Sequence, residues 1–229
     1  GNASRVTLEG FYKKYSQYPI SLIDGVSIAN KGGDFEVLGN EAIATDGRGK
    51  SYGIEALYQQ KLTKNFYGVF AYTYFHSQFT TANGDYLPSV WDSRHLISFS
   101  GGYKLKRNWE ISARWRFSGK TPYVPVDQIA SLSAYPEIVL DYNQLGNVKL
   151  DPFNLADIRF DKKWNFKRYA FNFYFEIQNF LAQAVPRPEE YGLNRSETGA
   201  LILPRSLVKV NTDENNNIPI PTFGFVVDF

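Results

Sequence analysis

Cysteine is absent from this 229-residue chain, and with it go disulfides, zinc–thiolate sites and thiol chemistry. Methionine is absent too, even at position 1, so Gly1 reads as a processed or cut end of a longer chain, with no leader peptide in view. No run of about 18 apolar residues occurs, which excludes a membrane-spanning helix. An excess of charge of one sign is missing as well: 25 Lys and Arg against 23 Asp and Glu give a net charge of +2, which leaves no basic surplus for nucleic acid. The two histidines, His76 and His95, lack the spacing of a metal site. Asp92, Ser93 and His95 are the types a hydrolase uses, but neighbours on a strand point to opposite faces, so no triad forms locally. Neither an enzyme nor a bound cofactor is expected.

Aromatic residues are abundant, at 17% with 16 Tyr and 18 Phe. They recur with period two, as strands with one apolar and one polar face require. The alternation predicts strands over 4–15, 49–62, 66–80, 93–104, 108–118, 152–164, 169–180 and 222–229. In 169–178, Tyr169, Phe171, Phe173, Phe175 and Ile177 share one face, opposite Ala170, Asn172, Tyr174, Glu176 and Gln178. In 152–164, Lys162 is the one charge on the apolar side. The connections alternate between tight polar turns (63–65, 105–107, 165–168) and long segments rich in Gly, Pro, Asn and Asp (16–48, 81–92, 119–151, 181–221). A compact soluble domain rarely carries several such loops, whereas outer-membrane barrels pair short periplasmic turns with long extracellular loops.

The expected fold is therefore all-β: a transmembrane, antiparallel, up-and-down barrel with about eight strands present. Tyr12, Tyr52, Tyr103, Trp109, Trp164 and Tyr169 fall near strand ends, where interfacial aromatic girdles belong. The chain closes on Thr222-Phe-Gly-Phe-Val-Val-Asp-Phe229, an apolar alternating strand that would be an exposed liability in water. Its Thr222, Gly224, Val227 and Phe229 resemble the C-terminal signal that the barrel assembly machinery recognises in bacterial outer-membrane proteins. Counting turns runs this strand inward, so Phe229 is expected in the periplasm. Charges on the opposite face, Glu55, Lys61, Arg94, Arg114, Arg116, Asp157, Arg159, Asp161 and Glu176, are expected to line a lumen. They would pair across strands, meet a polar plug, or remain solvated.

Several segments carry a family resemblance. They are Gly49–Glu55 (Gly-Lys-Ser-Tyr-Gly-Ile-Glu), Gln60-Lys-Leu62, Tyr72-Thr-Tyr74, Trp91-Asp-Ser-Arg-His95, Phe117–Tyr123, Asp157–Lys163, Glu176–Phe180 and Pro221-Thr-Phe-Gly224. In this order and spacing the chain resembles the C-terminal part of a TonB-dependent outer-membrane receptor in the style of the Bacteroidota. The resemblance implies the last eight strands of a barrel of about 22 with a plugged lumen. It also implies that residues 1–229 form one barrel segment, with plug domain and TonB box absent from it.

The implied function is active uptake of a scarce or bulky nutrient: an iron chelate, a cobalamin-like cofactor, a glycan or a peptide. Loops 16–48, 119–151 and 181–221 would face the substrate, with Tyr123, Tyr135, Tyr142 and Tyr191 as stacking candidates and Asp92, Arg94 and Arg116 as polar ones. The implied partners are outer-membrane lipid, the assembly machinery, the TonB complex through the plug, and a surface lipoprotein if the substrate is a glycan or peptide. The alternative is a self-contained eight-stranded barrel serving as an anchor or adhesin, since eight is an allowed strand number.

Overall fold

The computed structural model describes residues 3–31, 41–210 and 217–229. Gly1 and parts of the expected loops 16–48 and 181–221 lie outside the described residues. Eight strands form one antiparallel sheet in which each pairs with its neighbour in the chain: β1 (Ser4–Ser21), β2 (Ile43–Thr63), β3 (Phe66–Thr80), β5 (His95–Lys104), β6 (Trp109–Ser118), β7 (Phe153–Asn165), β8 (Ala170–Gln178) and β11 (Ile220–Asp228). The three-residue β4 (Tyr86–Pro88) pairs with the outer end of β3. A separate hairpin, β9 (Glu190–Leu193) with β10 (Leu207–Val210), stands in the last long connection. Among the described residues β1 and β11 are not bonded to each other, so the sheet is an open arc of a barrel wall.

Register decides the faces. Tyr58, Phe70, Phe99, Trp115 and Ala156 are successive Cα partners across β2, β3, β5, β6 and β7, and so point the same way. Farther along, Ile111, Phe160, Phe175 and Phe223 form a second such row. Apart from the buried Ala156 these apolar side chains are not cored: Phe223 is 77% exposed, and Val6, which continues the first row opposite Tyr58, is 74% exposed. Outward exposure of apolar side chains is what a lipid-facing wall requires. Tyr12, Tyr103, Trp109, Trp164 and Tyr169 are exposed, and Tyr52 is half-buried against Tyr12 and His76. Lys162, the expected exception, lies between the rings of Trp109 and Trp164 at 5.3 and 5.4 Å and donates to the Arg107 carbonyl.

Turn chemistry explains the short end. Lys64, Arg107 and Asn108 take positive φ, and each tight connection closes within a few residues. At the long end β1 and β2 run farther than expected, shrinking the 16–48 loop to 22–42. Pairing shifts register between Ser16 and Ile20, with Gln17 at φ 55°, and continues to Ser21–Ile43. The connection 119–151 is not featureless either. Asp127 caps helix α1 (Gln128–Ala134), its carboxylate accepting from the Ile129 and Ala130 amides.

The buried apolar residues gather at this end. Ile20, Val26, Ala29, Phe79, Val90, Val124 and Leu145 are all buried. They bind the first three long connections into a layer over the strand ends. Ala82 N–H donates to Gly25 O at 2.7 Å, and Asn30 reaches Phe79 O.

Candidate functional site

The inner face carries a continuous ladder of charge. Arg114 on β6 lies directly opposite Asp157 on β7, its Nε 3.1 Å from Oδ2, and its Nη2 is 3.7 Å from Glu176 on β8. Arg159 makes paired 2.8 Å bonds to Asp161 and stands 3.9 Å from Glu176. Asp161 also accepts from Asn172 at 3.1 Å, and Lys163 reaches Asp228 on β11 at 3.4 Å. Tyr67 on β3 donates to Glu110 on β6, skipping β5 between them. That reach is possible because Gly102 opposite Tyr67 has no side chain: a Cβ there would lie 2.6 Å from the phenol oxygen. The same device recurs at the other edge. Gly224 leaves room for the Tyr174 ring, which lies 4.0 Å from the Arg159 guanidinium carbon. Cross-strand pairing is thus the answer for Arg114, Asp157, Arg159 and Glu176, while Asp161 pairs with Arg159 along its own strand and meets only the Asn172 amide across strands; Glu55, Lys61 and Arg116 form no ion pair among the described residues.

Above the ladder opens a cleft of about 630 Å³ lined by Arg114, Arg116, Asp157, Asn179 and Ile218 among others. Asp157 fixes its floor, accepting the Asn179 amide at 3.0 Å as well as Arg114. Arg116 is exposed there with no acidic partner among the described residues.

The outer loops supply the other expected residues. Tyr191 on β9 donates to Glu189 at 2.6 Å, and Lys209 on β10 holds the other Glu189 oxygen at 3.1 Å. These two bonds hold the Glu189 carboxyl below 4.5. The Tyr191 phenol is pushed up by its bond to Glu189. Burial raises the Tyr123 phenol, and the Glu189 charge raises it further. Tyr142 lies elsewhere, its ring 5.5 Å from the Lys31 ammonium. Lys31 is itself clamped by Asp24 and Glu41, each at 2.6 Å. Tyr135 ends α1 and is exposed.

Asp92 and Arg94 are placed differently from the expectation. Asp92 is 1% exposed, and burial raises its carboxyl against the pull of Arg94, whose Nε lies 3.2 Å from Oδ1. Arg94, at φ 67°, turns its Nη1 to within 3.1 Å of His76 Nε2, on the outer rather than the inner side of the wall. The physical reason is the bend that starts β5 at His95 instead of residue 93. Sequence reasoning also missed the outer cluster this creates. His76 stacks on Tyr52 at 5.1 Å, Tyr74 bonds His76 at 2.8 Å, and Tyr72 bonds His95 Nδ1 at 2.9 Å. The i, i+2, i+4 spacing of Tyr72, Tyr74 and His76 was the available signal.

Thr222 and Gly224 face inward opposite Glu176 and Tyr174, Val227 faces outward opposite Phe171, and Phe229 follows the last strand fully exposed.

The fold is shared with solved outer-membrane receptors. Over 98% of this chain the ferripyoverdine receptor of Pseudomonas aeruginosa superposes with a TM-score of 0.54 at 14% identity. The ferric-catecholate import receptor Fiu of E. coli does so over 97% with a TM-score of 0.51 at 11% identity. The chain spans 25% of the length of each of these structures. No curated protein sequence matches it. The family description "TonB dependent receptor-like, beta-barrel" matches residues 1–180, most of the chain. The chain therefore belongs to the TonB-dependent receptor β-barrel family.

Proposed function

We propose that this chain is the C-terminal barrel segment of a receptor that actively imports a scarce or bulky nutrient across the bacterial outer membrane. One observation carries the reading: a charge-laddered inner wall, backed by a lipid-facing apolar surface, opens into a cleft beneath interlocked loops. Such a wall suits a wide, wet lumen closed by a plug from elsewhere in the protein, and that plug would receive energy from the TonB complex. The solved structures of similar fold are a ferripyoverdine receptor and a ferric-catecholate import receptor, which puts an iron chelate first among the substrate classes. A cobalamin-like cofactor, a glycan or a peptide are the other candidates, the last two with a surface lipoprotein partner. The phylum-level likeness to Bacteroidota receptors belongs to the same proposal.

On this reading Arg116, Tyr123 and Tyr191 touch solute, with Tyr135 and Tyr142 contributing from the loop layer. Asp92 and Arg94 hold the loop base instead. The short turns and Phe229 lie in the periplasm, where Thr222, Gly224, Val227 and Phe229 would be recognised for assembly. The test is uptake by cells carrying the full receptor, with labelled ferric chelate supplied in the presence and absence of TonB. TonB-dependent accumulation that falls on Arg116→Ala or Tyr191→Ala supports the reading. Accumulation that ignores TonB contradicts it.

A further inference from the structure

The outward face of β1, β2 and β3 changes character sharply toward the loop end. Successive rows of Cα partners read Leu8–Ala56–Tyr72, then Gly10–Ile54–Tyr74, then Tyr12–Tyr52–His76, then Lys14–Lys50–Gln78, then Ser16–Arg48. Apolar residues give way to stacked aromatics and then to bases. From Thr63 back to Lys50, β2 climbs about 30 Å along the barrel axis, taking a rise of about 3.3 Å per residue and a tilt near 45°. That exceeds the apolar band of about 25 Å, so Lys14, Arg48 and Lys50 stand at the level of the outer headgroups. Tyr12 and Tyr52, stacked at 6.2 Å directly beneath, are the interfacial anchor that fixes this level.

Lys14 and Lys50 are directly opposite across the β1–β2 ladder, a like-charge pair that destabilises a sheet unless an anion bridges it. Neither they nor Arg48 form an ion pair among the described residues, although Asp46 lies on the same strand. Lys50 is held instead over the Tyr86 ring at 4.4 Å, and Lys14 and Arg48 are exposed. Arg94 adds a guanidinium on this side through His76. The lumen ladder is neutralised base by base, while this rim is not.

We infer that the outward rim formed by Lys14, Arg48 and Lys50, with Tyr12 and Tyr52 below it, binds the phosphorylated headgroup of an outer-leaflet lipid. The rings provide a floor for the acyl–headgroup boundary, and the three bases supply charge-assisted donors to phosphate oxygens, which are stronger than neutral ones. The site depends on the membrane placement of the outer face and is independent of which solute is carried.

The full receptor, reconstituted in phosphatidylcholine vesicles with or without phosphatidic acid, is released into detergent and its retained lipid counted by native mass spectrometry. Phosphatidic acid should be retained in preference to phosphatidylcholine. Retention should fall roughly tenfold or more in Lys14→Gln/Lys50→Gln. It should survive Lys14→Arg/Lys50→Arg, and also Lys162→Gln, whose base lies on the same face near the opposite end. Equal retention of both lipids, or a Gln double variant that retains as the parent does, overturns the site. Displacement of the lipid by millimolar inorganic phosphate marks a free-anion site and equally overturns the lipid assignment. An unchanged count of folded receptor, read as heat-resistant mobility on a gel, separates lost binding from lost fold.

Discussion

At the residue scale the inner wall is held by a few charge-assisted bonds whose worth depends on burial. Asp157, 7% exposed, serves both Arg114 and the Asn179 amide. Replacing it with Ala leaves the Asn179 amide unpaired and Arg114 with only its longer contact to Glu176, a cost of about 1–3 kcal/mol. A urea midpoint for the receptor folded in vesicles should register that loss, while Arg116→Ala, which breaks no ion pair among the described residues, should leave the midpoint unchanged. Gly53 makes a steric prediction. A Cβ there would run into the Tyr74 carbonyl oxygen and lie 2.9 Å from the Phe75 Cα, contacts with backbone that cannot rotate away. Gly53→Ala should therefore reduce the heat-resistant folded fraction, at a cost of about 1–3 kcal/mol. Alternation alone assigned residues such as Phe173 and Arg114 to their faces, because side-chain direction is local. Partnership is not local. Nothing near Arg94 in sequence reveals that it turns outward to His76, or that Lys162 is sheltered by two tryptophans.

At the element scale, β3, β6 and β7 were legible to within a residue or so, since their patterns are long and their turns polar. The extension of β1 and β2 was hidden because pairing beyond Ser16 passes through two register shifts, which break the period-two alternation. The β9–β10 hairpin was hidden for a different reason: two four-residue strands lie too far apart in sequence for their alternation to stand out. That hairpin makes its own prediction. A carboxyl held below 4.5 contributes stability that is complete above 4.5 and is lost as the pH falls through the lowered value. The Tyr191–Glu189–Lys209 link should accordingly loosen in acid. In Tyr191→Phe the Glu189 titration, followed by carboxyl NMR, should move back up toward 4.5. A titration unmoved by the substitution would show that the bond is not made in solution.

At the scale of the whole molecule, family membership and the two-faced wall make the chain an arc. Its edges, β1 and β11, are then expected to meet neighbouring strands rather than each other, since a row of unpaired edge groups in lipid is costly. The competing architecture is an eight-stranded barrel that closes β1 on β11. It would have to fold Arg114, Arg159, Asp157, Asp161 and Glu176 into a lumen filled by side chains. Residues 1–229 contribute no cysteine, so engineered pairs in a receptor with any other cysteines replaced by serine can decide between the two. In cells expressing the full receptor, cysteines placed at Phe173 and Phe225, partners across β8 and β11, should form a disulfide under mild oxidation. Cysteines at Val6 and Phe225 should form none in an arc. Efficient cross-linking of Val6 to Phe225 would contradict it.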